Sequence, residues 1–453
     1  MNEKSMSAQD SRFTYSIDTL KQVTQDILAQ ARKAGATACE AEVSQGFGQS
    51  VSVRRNEVET IEYNRDKGLG VTVYFGQQRG HASTSDLSPK AILDTVEAAL
   101  SIARYTAKDE FAGLPDEALL AKNIPDLNLH YPWDLPVEMA IELGRKCEEA
   151  AMQVDERIDN SEGATVSTQE SLFVYGNSLG FLAGYPSSRH DVSCAVIAED
   201  DTGMQRDYWY ESKRDAADLG SVEAVGRRAG ERTVRRLNAR KIDTTECPVL
   251  FEAPVASGLI GHFVGAISGG SLYRKASFLL DSLGKPVFAP LVNIRELPHI
   301  LKGLGSSPFD NEGVATHARD LVKDGVLQGY MLGSYSARKL GMASTGNAGG
   351  NHNLILESTG QDFAELLKMM GAGMVVTELL GHGVNPVTGD YSRGAAGYWV
   401  ENGEICYPIE EVTVAGNLVQ MYQNIAAIGN DVLVHGSKQC GSILIGKMTI
   451  AGN

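Results

Sequence analysis

The chain contains 453 residues, 43% of them apolar and 22% charged, which are proportions typical of globular proteins. One hydrophobic core rarely serves so long a chain, so the length predicts two or three domains of about 150 residues each. The net charge of −16 counts against nucleic acid as a partner, because an acidic surface repels phosphate backbones.

Residues 1–110 are predicted to form an α+β domain. Apolar positions at helical spacing indicate a helix from Ile17 to Ala34, with Gly35 as its stop. A second helix is expected from Ser88, an N-cap followed by proline, to about Arg104. Between them, alternating apolar residues predict an antiparallel meander with strands at 51–53, 58–63 and 70–75 and turns at 55–56 and 65–68.

Residues 111–240 are predicted to form a second α+β region. Four prolines between 107 and 136 indicate a connector, after which a helix is expected from Val137 to about Val154. Short strands are predicted at 171–175, 193–198 and 208–210, and another helix at 222–241. The order of helix, strands and helix echoes the first domain, so an internal structural duplication is our hypothesis.

The helix at 222–241 carries arginines at four-residue spacing, which places them on one face. One interpretation is a surface for nucleic acid or an acidic partner. The other, which an acidic chain favours, is a solvated helix face before the next domain. The residues of this stripe are Arg228, Arg232, Arg236 and Arg240.

Residues 241–453 are predicted to form a mostly antiparallel β domain with inserted helices, so the fold class of the whole chain is α+β. Asp324-Gly325 and Asn402-Gly403 each lie between apolar runs and predict tight hairpins. A clear helix is expected from Phe363 to Met370, with Gly371 ending it.

Six cysteines are scattered through the chain without a C-x-x-C pair, which predicts reduced thiols and argues against both a disulfide scaffold and a zinc ribbon. Packing is the expected role of all but Cys440. The N-terminal residues lack the apolar core of a signal peptide, and no apolar run reaches the roughly 18 residues that span a bilayer. We therefore expect a cytoplasmic protein without a membrane partner.

Three short motifs imitate active sites. Residues 176–180 match the G-x-S-x-G nucleophile elbow, but a strand pattern follows them, so a turn is favoured. Residues 441–448 imitate a phosphate-binding loop, although Met448 replaces the magnesium-binding hydroxyl. Glu378 and His382 have the spacing of two metal ligands on a helix, yet the glycines around His382 predict a loop.

The stretch Ser257-Gly-Leu-Ile-Gly-His262 has the length and final histidine of a helical zinc motif. The chain contains no H-E-x-x-H, and its nine histidines form no local cluster. A catalytic zinc needs about three protein ligands and a general base, and no local stretch supplies them.

A series of short signatures is spread along the chain. They are Gly68–Val73, Ala82–Ser88, Tyr273–Lys275, Pro308–Gly313, Asp320–Gly325, Ser334–Arg338, Gly389–Gly394, Val400–Glu404, Gly429–Asp431 and Gln439–Ser442. Their order resembles the TldD/PmbA family, most closely its PmbA (TldE) type, from about residue 20 to residue 453. The resemblance implies a zinc peptidase fold whose TldD-type subunit carries H-E-x-x-x-H and a C-terminal cysteine ligand.

Laid over this chain, the second family histidine falls on His262 and the cysteine on Cys440, and both match. The first histidine falls on Ser257 and the general-base glutamate on Gly258, and neither matches. Serine is a poor zinc ligand and glycine cannot accept a proton. The resemblance therefore implies no catalytic or metal site in this chain, with the zinc held by a TldD-type partner.

The first hypothesis is an accessory, non-catalytic subunit that pairs with a TldD-type subunit to cleave unfolded or extended peptides, with a homodimer possible without that partner. The second is a peptidase active alone through a reduced site of His262 and Cys440. The third is a regulatory binding protein, such as the DNA gyrase modulator of the family's older name.

Overall fold

The computed structural model describes residues 12–452, and it begins with a region built on one six-stranded antiparallel sheet. The strand order is β3-β2-β1-β4-β5-β6, so β1 and β4 join two three-stranded halves. The elements are α1 (Ile17–Lys33), β1 (Ala38–Arg54), β2 (Glu57–Phe75), β3 (Gln78–Thr84), α2 (Pro89–Tyr105), α3 (Val137–Met152), β4 (Asn160–Asn177), β5 (Leu182–Asp200), β6 (Gly203–Lys213) and α4 (Val222–Val234).

Each half of this sheet has the order helix, three strands, helix, as the sequence suggested for an internal duplication. Helices α1 and α2 bury Leu20, Ile27 and Val96 against the first half. Helices α3 and α4 bury Cys147 and Val225 against the second half. The two halves therefore share a sheet but have separate helix-covered cores.

Several predicted boundaries in this region are wrong, and the strands are longer than expected, as with β1, which was predicted only at 51–53. The turn expected at 65–68 lies inside β2, because β1 pairs with β2 along its length, for example Phe47 with Arg65. The long partner strand overrides the turn preference of the polar residues. The helix predicted to reach residue 241 ends at Val234, and the chain turns at Asn238, whose φ is 61°.

The remaining residues form a C-terminal region of short helices and two further sheets. The elements are β7 (Thr245–Phe251), α5 (Ala253–Ala266), α6 (Gly269–Tyr273), β8 (Ile294–Glu296), β9 (Arg319–Lys323), β10 (Val326–Leu327), α7 (Ser334–Lys339), β11 (Leu354–Leu356), α8 (Phe363–Met370), β12 (Gly373–Leu380), β13 (Asp390–Glu401), β14 (Glu404–Asn417), α9 (Leu418–Gln423), β15 (Ile425–Ile428), β16 (Lys438–Gln439) and β17 (Ile443–Ala451).

One C-terminal sheet has the order β14-β13-β12-β7-β17-β15, and β14 also pairs with β17. Five of its strands therefore close into a small barrel. The other sheet has the order β10-β9-β8-β11-β16. Most pairs are antiparallel, with β7–β12 and β11–β16 as parallel pairs, so the predicted α+β class is confirmed.

Helix α5 packs into the largest hydrophobic core of the described residues, where Leu259, Ile260 and Phe263 are buried. Both predicted hairpins are present, and each turn pair has positive φ angles, as at Asn402 (52°) and Gly403 (77°). The division at residues 110 and 240 stays a prediction about domains. No helix among residues 12–452 is long and apolar enough to cross a membrane.

Candidate functional site

The start of helix α5 is held in place by the C-terminal strand. The hydroxyl of Ser442 accepts a hydrogen bond from the backbone N–H of Ala253 (3.1 Å) and donates one to Asp431 (2.6 Å). Asp431 also accepts from the backbone N–H of Ser442 (2.8 Å). Since the first N–H groups of a helix lack partners within it, this contact fixes where α5 begins. The Gly429–Asp431 and Gln439–Ser442 signatures therefore position α5.

Ser257 and Gly258 lie one turn into α5 and line a cavity of about 310 Å³. The Ser257 hydroxyl donates to the carbonyl of Pro254 (3.1 Å), so its proton is used within the helix. A Cβ atom built on Gly258 would meet no atom within 4 Å. At these two positions the cavity wall is therefore largely helix backbone.

The opposite side of the cavity is aromatic and charged. His435 packs between Tyr210 (4.3 Å between ring centroids) and Trp209 (5.4 Å). Burial, with a smaller effect of the Lys213 charge, lowers the pKa of His435 to about 4. The imidazole is therefore neutral at pH 7 and behaves as part of the aromatic wall. The charged residues that line the cavity are Asp207, Arg232, Glu378 and Arg393.

His262 lies one turn beyond Gly258, with its ring edge against Tyr391 (6.0 Å between centroids, 79° between planes). Burial, and then the charge of Arg393, lowers the pKa of His262. Burial raises the pKa of Tyr391 to about 12, and its enclosed hydroxyl has no hydrogen-bond partner among the described residues. Both rings are therefore neutral at pH 7, and the half-buried imidazole of His262 packs against the buried ring of Tyr391.

Cys440 is 1% exposed and belongs to the same hydrophobic core as α5. Burial, followed by the charge of Asp431, raises the pKa of the Cys440 thiol to about 12. At pH 7 the thiol is protonated, whereas nucleophilic attack and metal binding require the thiolate. Its surroundings are those of an apolar core residue.

The residues at the motif positions do not fit a catalytic zinc. Such a site uses three protein ligands and an open position, with a carboxylate nearby as base. Here Ser257 supplies a hydroxyl that is already bonded to Pro254, and Gly258 supplies no side chain. Within residues 12–452, no group of three His, Cys, Asp or Glu side chains could hold a metal ion.

The arginine stripe is not a solvated face, so that interpretation is wrong for two of its members. Arg232 is buried and contacts Glu252 (2.9 Å) and Asp207 (3.3 Å). Arg236 contacts Glu378 and Asp207. Glu252 and Glu378 belong to the C-terminal region, so Arg232 of α4 and Arg236, just beyond the end of α4, form ion pairs with that region instead of facing solvent.

The outer two arginines lie on aromatic rings. Arg228 lies over Trp209 (5.3 Å to the ring centroid), and Arg240 lies over Tyr407 (4.7 Å). Cation–π contacts of this kind are worth about 0.5–1 kcal/mol at exposed sites. The stripe therefore acts mainly within the molecule.

The three motifs that imitate active sites have structural roles. Residues 176–180 form the turn between β4 and β5, where the Ser178 hydroxyl accepts from the N–H of Cys39 (3.0 Å). Residues 443–448 lie in strand β17 and so do not form a phosphate-binding loop. Glu378 lies in β12 and contacts Arg236, whereas His382 is in an exposed loop.

The thiols are free, and five of the six are buried. Cys406 is exposed, so the expectation that packing alone explains every cysteine except Cys440 is wrong for it. The reason is its position on β14, at a part of the strand that faces solvent.

A larger cleft, of about 620 Å³, lies between the N-terminal sheet and the Pro308–Gly313 signature. Glu40 lies in its wall and accepts hydrogen bonds from the hydroxyls of Tyr74 (3.0 Å) and Tyr175 (2.8 Å). Burial raises the pKa of Glu40. The sequence did not single out Glu40, because its partners come from β2 and β4, far apart along the chain.

Three family models match consecutive segments of this chain. The PmbA/TldA metallopeptidase domain 1 matches residues 39–103, and the central domain matches residues 130–237. The PmbA/TldA metallopeptidase C-terminal domain matches residues 244–452. The third segment contains α5, Cys440 and the barrel.

Whole proteins of the same kind are similar over nearly their full length. Metalloprotease PmbA of Escherichia coli O157:H7 is 52% identical over 425 residues, which are 94% of each chain. The crystal structure of a candidate modulator of DNA gyrase from Bacteroides thetaiotaomicron has a TM-score of 0.91 at 28% identity, covering 96% of this chain and 99% of that one.

A crystal structure of TldE from Thermococcus kodakarensis shares the fold, with a TM-score of 0.81 at 18% identity and coverage of 95% of this chain and 100% of that one. The family resemblance seen in the sequence is thus confirmed by sequence identity and by fold. The chain belongs to the PmbA/TldD metallopeptidase family.

Proposed function

We propose that this chain is an accessory, non-catalytic subunit of a TldD/TldE-type zinc metallopeptidase that cleaves unfolded or extended peptides. The observation that carries the proposal is the pair Ser257 and Gly258, which stand where the family resemblance implies a histidine ligand and a glutamate base. The hydroxyl of Ser257 is hydrogen-bonded within α5, and Gly258 has no side chain. In this proposal the zinc is held by a TldD-type partner in a heterodimer.

The cavity beside α5 supports a part in binding peptide. Its volume of about 310 Å³ is at the lower end of ligand sites, and its wall combines exposed helix backbone at Gly258 with aromatic rings at 208–210. Arg393, on this wall, donates to the carbonyls of Leu379 (3.2 Å) and Leu380 (3.4 Å) rather than to a carboxylate. A peptide backbone or carboxylate is the chemistry that such a wall accommodates.

The direct experiment compares three samples on a flexible fluorogenic peptide: this chain, a TldD-type subunit and the two mixed. We expect cleavage from the mixture and none from this chain, with zinc near one atom per heterodimer and absent from this chain when it is purified alone. Cleavage by this chain alone would contradict the proposal. A mixture no more active than the TldD-type subunit would show that this chain contributes nothing.

A peptidase acting alone through His262 and Cys440 is the second candidate. It needs the Cys440 thiolate, and the burial that raises the pKa of this thiol to about 12 opposes it. The Cys440→Ala substitution separates the two proposals. If this chain is an accessory subunit, the Cys440→Ala variant still supports peptide cleavage by the mixture. If it is a thiol-dependent peptidase, the variant loses all activity.

A non-enzymatic DNA gyrase modulator is the third candidate, since the relative from Bacteroides thetaiotaomicron is named for that role. The net charge of −16 and the burial of Arg232 count against direct contact with DNA. Binding to duplex DNA that weakens steeply with salt would favour this candidate. The accessory proposal predicts no such binding and places the subunit in the cytoplasm, where free thiols stay reduced.

A further inference from the structure

Arg393 lines the cavity beside α5 and has no carboxylate within ion-pair distance among the described residues. It lies on β13, within the Gly389–Gly394 signature. Its guanidinium donates to the carbonyl of Leu379 through Nη2 (3.2 Å) and to that of Leu380 through Nε (3.4 Å). A guanidinium carries five N–H donors in a planar fork, so donors of Arg393 remain for an anion.

The acidic groups on the cavity wall already have cations of their own. Asp207 contacts Arg232 (3.3 Å) and Arg236 (3.6 Å). Glu378 also contacts Arg236. Arg393 is therefore the lining cation whose charge no carboxylate of residues 12–452 balances by direct contact.

Arg393 also lies close to helix α5. Burial and then the charge of Arg393 lower the pKa of His262. Burial raises the pKa of Tyr391 to about 12, and the charge of Arg393 opposes that rise. Arg393 shares the cavity wall with Ser257 and Gly258. An anion held by Arg393 would therefore lie alongside α5.

The cavity also offers aromatic and apolar surface. Tyr208 and Tyr210 are stacked, with 6.3 Å between ring centroids and 16° between planes, and His435 packs on Tyr210 at 4.3 Å. Pro254 and Val255 line the α5 side. Aromatic rings supply a large contact area for an apolar side chain. The cavity therefore combines an unpaired guanidinium with a surface for such a side chain.

These features fit the last residue of a peptide. A C-terminal residue carries its carboxylate and its side chain on one Cα atom, and arginine binds carboxylates through two parallel hydrogen bonds. A phosphate group fits less well, because Asp207 and Glu378 line the same cavity and repel a dianion more strongly than a monoanion. The volume of about 310 Å³ suits the end of a peptide better than a long segment.

We propose that the cavity beside α5 binds the C-terminal carboxylate of a peptide through Arg393, with the last side chain against the rings of Tyr208 and Tyr210. This inference rests on the proposed part of this chain in binding peptide, and it names the group that is recognised. Anchored by its last residue, a peptide keeps the rest of its length outside the cavity, available to the catalytic subunit of the proposed complex.

Peptide binding to this chain alone, without zinc or a partner, tests the proposal by fluorescence anisotropy. The probe is an N-terminally labelled flexible peptide ending in phenylalanine, prepared with a free C-terminal carboxylate and as the C-terminal amide. A third peptide is amidated and ends in glutamate, so its carboxylate belongs to a side chain. We expect the free acid to bind at least about tenfold more tightly than either amide, because only the free acid offers a C-terminal carboxylate to the guanidinium.

Variants of Arg393 show whether this preference depends on the guanidinium. Arg393→Gln should reduce the affinity for the free acid to that for the amide, whereas Arg393→Lys keeps the charge and should retain part of the preference. Arg227→Gln is the matched control, since it removes one arginine at an exposed position of α4 that does not line the cavity. The control should keep the full preference. Thermal unfolding checks that all variants are folded.

Equal binding of the free acid and the phenylalanine amide to the wild-type chain, or no binding of either, would overturn the proposal even if an Arg393 variant fails to fold. Binding of the glutamate amide as tight as that of the free acid would also overturn it, by assigning Arg393 to acidic side chains. If the wild-type chain shows no preference but still supports cleavage by the mixture, only this inference fails. A clear preference without support of cleavage contradicts the accessory role alone.

Discussion

Two walls of the cavity beside α5 differ in what they present. The α4 side holds buried charges that are paired, with Arg232 contacting Glu252 at 2.9 Å and Asp207 at 3.3 Å. The α5 side presents Ser257 and Gly258, which add almost no side-chain chemistry. The paired charges join two regions of the molecule. Under the proposed accessory role, Ser257 and Gly258 stand at the family's catalytic positions, so one wall would keep the shape of the cavity and the other would lack catalytic side chains.

The largest expected effect comes from removing Arg232, the buried cation of the α4 side of the cavity. Arg232→Ala leaves Glu252 without its cation and Asp207 with Arg236 as its remaining one, and we expect a loss of about 3–5 kcal/mol in the free energy of unfolding. Urea denaturation measures this loss. Arg228→Ala, on the same helix, removes only a contact over Trp209 and is expected to cost about 0.5–1 kcal/mol. Equal losses would show that Arg232 is no more important than its exposed neighbour.

A matched pair of glycines sharpens the contrast between the two helices. A Cβ built on Gly226 of α4 would lie 1.9 Å from the carbonyl oxygen of Cys147, so Gly226→Ala should destabilise the protein by about 1–3 kcal/mol. At Gly258 of α5 nothing lies within 4 Å, so Gly258→Ala should raise helix stability by about 0.5–1 kcal/mol. Thermal unfolding of both variants measures the opposite signs. A Gly258→Ala variant that is less stable than wild type would mean that other atoms occupy the space beside Gly258.

Cys440 tests whether the retained family residue is there for packing. Cys440→Ser places a hydroxyl in an apolar core and is expected to cost about 1–3 kcal/mol in unfolding free energy. Cys406→Ser, at an exposed site, should stay within about 0.5 kcal/mol of wild type. Denaturant unfolding of both variants gives the comparison. A neutral Cys440→Ser would contradict a packing role.

Some of the features behind these effects could be predicted from the sequence, and others could not. The cap at Ser88 and the hairpin at Asn402-Gly403 were predictable, because local backbone preferences decide them. The length of β2 was not, since pairing with β1 overrides the polar run at 65–68. The comparison of residues 257–262 with a helical zinc motif pointed to the place of α5, but the cavity beside it was not predictable, because the wall combines residues 207–210, 377–379, 393 and 435. The burial of Arg232 depends on the carboxylates of Asp207 and Glu252, and the spacing of residues along the sequence does not show that these groups lie beside it.

A further expected effect is a pH dependence at the aromatic wall. Burial lowers the pKa of His435 to about 4, below the value of about 6.5 in an unfolded chain. The unfolded state therefore binds the proton first, so this stabilisation is present above pH 6.5 and is lost as the pH falls toward 4. His435→Gln should flatten this part of the profile in urea unfolding at pH 7, 6 and 5. An unchanged slope would show that other groups set it.

The accessory role is tested most directly by zinc-supplemented peptidase assays of this chain alone and mixed with a TldD-type subunit, on the same flexible peptide. The bare α5 wall predicts no chelator-sensitive cleavage by this chain alone and full activity in the mixture. It also predicts that Cys440→Ala leaves the activity of the mixture unchanged. Cleavage by this chain alone that a chelator abolishes would contradict the account.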